Sequence, residues 1–272
     1  MSDKFKTLAI LFSGGTDSTL AVALEQVHYD SIHLLTFDRL GLASTDNSKV
    51  NAKALIEKFD KKSITHHILN FDKAFKDISY DNYISNTLNH GFMNLSTCGL
   101  CKLSMHIQAI IFCKEKGITF VADGANKGMD KFPAQMKPVI KLIRNLYLEN
   151  GITYYNPVFK LEHPDEGGFL SIENMNFLKM TPPSNKQSKE TKKTTGQILY
   201  DMGLAPMPNI KGSQYDRKRQ PRCFQFVLFK IYVEKYFLSN RTYEEYVQAT
   251  TAFFESKIAT ARKLLSRSLD KK

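Results

Sequence analysis

Between an apolar run and a helix-like stretch the chain carries Ser13-Gly14-Gly15-Thr16-Asp17-Ser18, residue types suited to holding phosphate. Two glycines remove side chains, so backbone N–H groups can approach an anion closely. A helix beginning near Asp17 adds unpaired donors and the positive end of its dipole. Ser13 and Ser18 offer hydroxyls to phosphate oxygens. A carboxylate beside phosphates is repelled unless a divalent cation lies between them, so Asp17 is read as a Mg²⁺ ligand. The Walker ending GKS/T is missing, which excludes a kinase or GTPase loop of that type. The bland alternative is a glycine turn with serine capping.

A second constellation is sulfur. Cysteines stand at 98, 101, 113 and 223. Cys98-Gly99-Leu100-Cys101 opens a helix-like stretch, where the dipole favours thiolates. Cys223 follows Pro221-Arg222, far away in sequence. Two near thiols and one distant thiol fall one short of a closed tetrahedral zinc site. Three thiolates can instead hold three irons of a [4Fe–4S] cube and leave the fourth open. The alternatives are a zinc knuckle completed by His90 or His106, a redox-active disulfide, and structural thiols. Cys113, within Ile110-Ile111-Phe112-Cys113, reads as a small core residue.

Strands and helices must position these groups. Thr7 to Phe12 reads as a buried strand, followed by the glycine turn and a helix from Asp17 to His28. Strands follow at 31–37, at 64–71 (more polar), at 118–122 and at 152–158. Helices are expected at 47–59 and 100–116. This alternation predicts an α/β fold: a parallel, Rossmann-like sheet covered on both faces. The stretch 184–193 is polar and lysine-rich and reads as a linker or an exposed helix start. A short helix over 195–203 and two longer ones, 224–238 and 243–265, complete the pattern. The expected division is a nucleotide-binding domain over 1–225 and a C-terminal helical extension over 226–272.

With 272 residues and 42% hydrophobic content, the chain can bury one large core. No apolar run approaches the roughly 20 residues of a membrane span, and the N-terminus has no secretory pattern. The expectation is a cytoplasmic protein with no membrane partner, in which disulfides are disfavoured. A formal charge of +11 favours polyanionic partners, with RNA the obvious one, or simply marks a solvated basic surface.

The hexapeptide at 13–18 resembles the SGGxDS signature of the PP-loop ATP pyrophosphatases, whose domain belongs to the adenine nucleotide alpha-hydrolase-like (HUP) folds. The family includes GMP and asparagine synthetases, argininosuccinate synthetase, 7-cyano-7-deazaguanine synthase and tRNA thiolation enzymes. The resemblance implies cleavage of ATP between the α and β phosphates, giving an adenylylated substrate and pyrophosphate. It implies an ATP-binding set of Phe12, Ser13, Gly14, Gly15, Thr16, Asp17 and Ser18. Phe37 and Asp38 join it at the end of the second strand, where backbone groups meet the adenine, and Gly124 after the fourth. Asp38 can equally be a helix or turn residue.

The CxxC before the fourth strand and the late Cys223 are similar to cluster-dependent tRNA thiolation enzymes. Cys101-Lys102, Ala122-Asp123-Gly124-Ala125-Asn126, Met202-Gly203-Leu204 and Pro221-Arg222-Cys223 also resemble the sulfur insertase that matures the nickel-pincer cofactor. The likeness spans about residues 7 to 225, strongest at the loop. It implies Cys98, Cys101 and Cys223 as cluster ligands. One departure matters: thiolation relatives carry Gly-His and paired aspartates after the fourth strand, where this chain reads Asp123-Gly124-Ala125-Asn126-Lys127-Gly128-Met129-Asp130. Asp130 or Asp123 can substitute as a metal ligand or base.

Lys102 and Lys127 are candidates to neutralise phosphate charge as pyrophosphate leaves, or ordinary surface lysines. The candidate catalytic set is therefore Asp17, Lys102, Lys127 and Asp130. The basic run Lys211, Arg217, Lys218, Arg219 and Arg222 is either a guide for a nucleic acid or phosphorylated substrate, or a solvated loop. The expected activity is ATP-dependent adenylation followed by sulfur transfer from sulfide or a persulfide to a tRNA base or a small metabolite. Its rivals are a cluster-free amide- or nitrile-forming ligase and a non-catalytic, nucleotide-sensing RNA-binding protein. The tail after Cys223 is read as a homodimer interface or a substrate-docking surface.

Overall fold

The computed structural model describes residues 6–91, 93, 97–129, 131–161, 175–176, 179–180, 193–208, 210–211 and 213–270. Its centre is a five-stranded sheet built from β1 (Thr7–Leu11), β2 (Ser31–Asp38), β4 (Ser63–Asn70), β5 (Phe120–Asp123) and β6 (Thr153–Tyr155). The spatial order is β4-β2-β1-β5-β6 and every pairing is parallel. The expected α/β class is what the chain adopts. β3 (Leu42–Ala43) lies outside this sheet and pairs antiparallel with Arg222–Cys223.

Strand composition follows position. β1, Thr-Leu-Ala-Ile-Leu, is central and nearly all buried, as an all-parallel sheet with two covered faces requires. β4, Ser-Ile-Thr-His-His-Ile-Leu-Asn, is the edge strand, and its residues are largely exposed or half-buried. Successive side chains of β1 enter different cores. Leu8, Ile10 and Phe12 pack with Val22, Ile32, Leu34, Ala52 and Leu55 on one face. Ala9 and Leu11 pack with Leu35, Phe37, Leu103, Ile107 and Ile110 on the other.

The helices are α1 (Thr16–Glu25), α2 (Ser48–Lys58), α3 (Asp72–Tyr80), α4 (Tyr83–His90), α5 (Thr97–Lys116) and α6 (Lys137–Glu149), then Thr195–Asp201, Gln214–Arg217, Phe224–Ile231 and Tyr243–Leu269. Three outcomes correct the sequence reading. α6 was not foreseen, although Val139, Ile140, Ile143, Leu146 and Tyr147 recur at helical spacing and all are buried. The last strand stops at Tyr155 rather than reaching 158, because Pro157 has no N–H for the ladder. The helix expected over 224–238 is α-helical only to Ile231 and continues as a π-turn over Tyr232–Phe237, closed by Leu238 N–H to Val233 O at 2.8 Å. Apart from Lys193, the lysine-rich stretch 184–193 lies outside the described residues.

The helices after residue 225 enter the main core. Phe229, Val233, Phe237, Tyr246, Phe253, Phe254 and Ile258 share one apolar cluster with Leu100, Leu103 and Ile107 of α5. Among the described residues no helix is long and apolar enough to cross a membrane.

Candidate active site

β1 is flanked by β2 on one side and β5 on the other. Chain direction therefore diverges at its carboxyl end, the place where open α/β sheets open a ligand crevice. The loop Ser13–Gly15 leaves β1 there and Gly15 is the N-cap of α1. Gly14 adopts φ +80°, the left-handed region that suits glycine. A Cβ at Gly14 would lie 2.2 Å from the Arg219 carbonyl oxygen, and one at Gly15 2.7 Å from Gln220 Oε1.

Side chains fix the loop from several elements. The Ser13 hydroxyl accepts the Gly15 N–H (3.2 Å) and lies 3.2 Å from the Ser18 hydroxyl, which donates to Gly15 O. Asn51 of α2 donates to Gly14 O at 2.7 Å. Asp216 is buried, and its Oδ1 accepts both the N–H (3.0 Å) and the hydroxyl (2.9 Å) of Thr16. A carboxylate of the chain itself thus occupies one donor at the start of α1, the chemistry the loop would use for phosphate.

Asp17 lies 3.0 Å from Lys211 Nζ and accepts from Asn126 Nδ2. Asn126 Oδ1 is buried and accepts no hydrogen bond among the described residues. Gly124 abuts the same turn, since a Cβ there would lie 2.6 Å from Ser18 N. The loop, Gly124 and Asn126 therefore form one wall.

Phe12 and Phe37 are buried, and the Phe12 carbonyl accepts the Thr36 hydroxyl at 2.7 Å. β2 runs three residues past its last pairing with β1, Leu11 opposite Leu35. This leaves the β1-facing edge of Thr36–Asp38 outside the ladder, as backbone recognition of a ring would require. The Asp38 carboxylate itself accepts from Thr45 Oγ1 at 2.6 Å, a turn-fixing bond.

The other candidate catalytic residues scatter. Lys102 Nζ lies 2.8 Å from Asp123 Oδ2, at the carboxyl end of β5. Burial alone would raise the Asp123 carboxyl, but Lys102 and His106 beside it bring it down to about 2. Lys127 is exposed on the 3₁₀ turn Lys127–Met129. Asp130 lies outside the described residues.

The sulfur constellation comes from two segments. Cys98 lies in the first turn of α5 and Cys101 at the start of the second, and Cys223 is the N-cap of the helix Phe224–Ile231, held by its pairing with Leu42. All four cysteines are free. Burial, then the charges of Cys101 and Cys223, push the Cys98 thiol far up. Burial also raises Cys101, with Arg39 opposing. Among the described residues no three His, Cys, Asp or Glu are arranged to hold a metal ion as they stand. Cys98 and Cys101 both feel the charge of Cys223, so the three thiols are neighbours, but they do not close on a single ion. His106, weighed above as a zinc ligand, is turned elsewhere: Nδ1 lies 3.0 Å from the Tyr147 hydroxyl, and its ring packs on Tyr154. Cys113 is buried in the main core.

Sequence reasoning missed Asn51, Asp216, Asn126, Arg39 and Gln225. The Asp123–Asn126 segment was noted, and the asparagine two residues after Gly124 was the available signal. Asn51 and Asp216 carry none, because each reaches the loop from another element; Arg39 and Gln225 adjoin Asp38 and Cys223 in sequence, but their contact with each other spans 186 residues.

No protein-family model and no curated protein matches this chain. Among solved structures it is similar to a predicted subunit of tRNA methyltransferase from Methanocaldococcus jannaschii, at 20% identity and a TM-score of 0.38, covering 58% of this chain and 72% of that one. It is likewise similar to the U34-tRNA thiolase NcsA from Methanococcus maripaludis with its [4Fe–4S] cluster, at 11% identity and a TM-score of 0.38, covering 98% of this chain and 74% of that one.

Proposed function

We propose that this chain is a PP-loop ATP pyrophosphatase that adenylates a substrate and then transfers sulfur to it. The observation that carries the reading is the place of Ser13–Ser18: this hexapeptide closes the central parallel strand, opens α1 and stands at the divergence of β2 and β5. Gly14 and Gly15 carry no side chain, so the Arg219 carbonyl and Gln220 that now cover them would have to withdraw for phosphate to reach the backbone, and Ser13 and Ser18 face one another across the turn. The β and γ phosphates would be held by these groups and by the start of α1. The Asp216 carboxylate would give way to them at Thr16. Mg²⁺ would be held by Asp17, sharing the carboxylate with Lys211; the unfilled Asn126 Oδ1 beside it suits either the cation or a donor of the nucleotide.

In the first step a substrate oxygen attacks the α phosphorus. The bond from that phosphorus to the α–β bridging oxygen breaks, and pyrophosphate leaves. In the second step sulfur attacks the substrate carbon bearing the adenylate, and AMP leaves with the oxygen. Cys98, Cys101 and Cys223 would hold a [4Fe–4S] cluster, which when bound supplies an iron open to sulfur. The places of Cys98 and Cys223 at two helix starts support that part of the reading, as helix N-termini favour the anionic state of what they hold. The acceptor is a tRNA base or a small metabolite.

Exchange of labelled pyrophosphate into ATP, measured with candidate acceptors present, tests the adenylation step. Ser18→Ala should slow exchange by about 10²-fold, the usual consequence of losing one donor to a transferring oxyanion. Exchange unaffected by both Ser18→Ala and Asp17→Asn would overturn the reading. Full exchange in Cys98→Ala together with no iron uptake by the wild type would instead identify a cluster-free ligase.

A further inference from the structure

Arg39 follows β2 directly and is only 4% exposed. Its Nε donates to Cys101 Sγ at 3.3 Å, Nη1 to Leu40 O at 2.6 Å, and Nη2 to Gln225 Oε1. Its guanidinium lies 4.1 Å from the centre of the Phe75 ring. Among the described residues every one of these partners is neutral. The carboxylate that feels its charge, Asp72, is half-buried and accepts from Leu40 N–H and Asn70 Nδ2. A guanidinium buried with neutral partners is costly, because removal from water is not offset by an opposing charge. Such a group is expected where an anion will arrive.

The direction of its donors says which anion. One arm reaches α5 at Cys101 and another reaches Gln225, two residues beyond Cys223, so Arg39 ties together the two segments that carry the thiols. The strand that follows it, β3, also pairs with Cys223. Each thiol gives up its proton when it binds a metal group, and three thiolates outweigh a dipositive [4Fe–4S] core, so loading leaves net negative charge beside a cation already there.

We infer that Arg39 is the positioning residue for the cysteine-held group, neutralising its negative charge and fixing the approach of Cys223 to Cys98 and Cys101. This rests on the cluster reading above. In apo protein the charge is a liability: Arg39→Met should melt no lower than wild type. In anaerobically reconstituted protein the same change should at least halve the iron and sulfide bound, and move the midpoint potential of what remains to more negative values. A nearby cation favours the reduced, more negative state, and its loss reverses this. Arg39→Lys, which keeps the charge, should restore the potential and most of the loading.

Apo Arg39→Met that melts well below wild type, or fails to fold, would make Arg39 a structural residue and overturn the inference. Equal loading at an equal potential in wild type and Arg39→Met would overturn it alone. Wild-type protein that takes up no iron would overturn the cluster reading, and this inference with it.

Discussion

His106 shows what a single residue contributes when it serves the core instead of the site. It is wholly buried between Tyr147 and Tyr154, and its Nδ1 lies 3.0 Å from the Tyr147 hydroxyl. Burial, with Lys102 adding to it against Asp123, holds the imidazole neutral and its pKa down to about 3. In the unfolded chain that pKa is about 6.5. Between these values the unfolded chain binds a proton that the folded chain refuses, so stability is lost as pH falls, by up to about 1.4 kcal/mol per pH unit. His33, His66, His67 and His90 are also lowered by burial and act in the same sense. Urea unfolding between pH 6.5 and 4.5 should therefore show a steep acid loss, made shallower by His106→Gln. An unchanged slope in that variant would sink the assignment. Asp123 stays out of this window: its depressed carboxyl stabilises above about pH 4, and that stability goes only as pH falls toward 2.

At the scale of elements, the packing of the C-terminal helix on α5 is decided at Gly99, inside the CxxC. A Cβ there would meet the Phe254 ring at 2.6 Å and Pro133 Cβ at 2.9 Å. On an exposed helix, replacing glycine by alanine gains up to about 1 kcal/mol. Here the overlap reverses the sign: Gly99→Ala should cost about 1–3 kcal/mol, read as a lower urea midpoint, and a higher midpoint would show that the two helices do not meet this closely. The glycine that opens the sulfur site is thus a packing requirement. The segment 213–220 behaves similarly toward the phosphate loop, where Asp216, Arg219 and Gln220 all press on Gly14–Thr16. A nucleotide bound as proposed would compete with this segment for the same donors.

At the scale of the molecule, the +11 charge bears on the choice of acceptor. Part of the basic run is already engaged: Lys211 pairs with Asp17, and the Arg219 guanidinium stacks 3.3 Å from the Tyr215 ring centre. Lys218 and Arg222 remain exposed, Arg222 next to Cys223 in the chain. With tRNA as acceptor, binding measured by filter retention should weaken at least tenfold between 50 and 200 mM salt, through counterion release. Salt-insensitive or undetectable RNA binding would leave the small metabolite as the acceptor.

The sequence by itself determined the alternation of strand and helix, the glycine turn at 13–18 between β1 and α1, and the helix start carrying Cys98 and Cys101. Each of these is written in local residue order, as periodicity, glycine placement or a three-residue spacing, and local order survives without coordinates. The edge position of β4 was half-legible in its polar residues. Tertiary structure alone decided which distant groups face that local frame. It set Asp216 against Thr16, Lys211 against Asp17, and Arg39 between Cys101 and Gln225. It also turned Lys102 to Asp123 and His106 toward Tyr147. These pairings bridge up to 200 residues of sequence, and a charge or donor so far away leaves no periodic trace; only the crossing of the sheet and the return of the C-terminal helices bring it within reach.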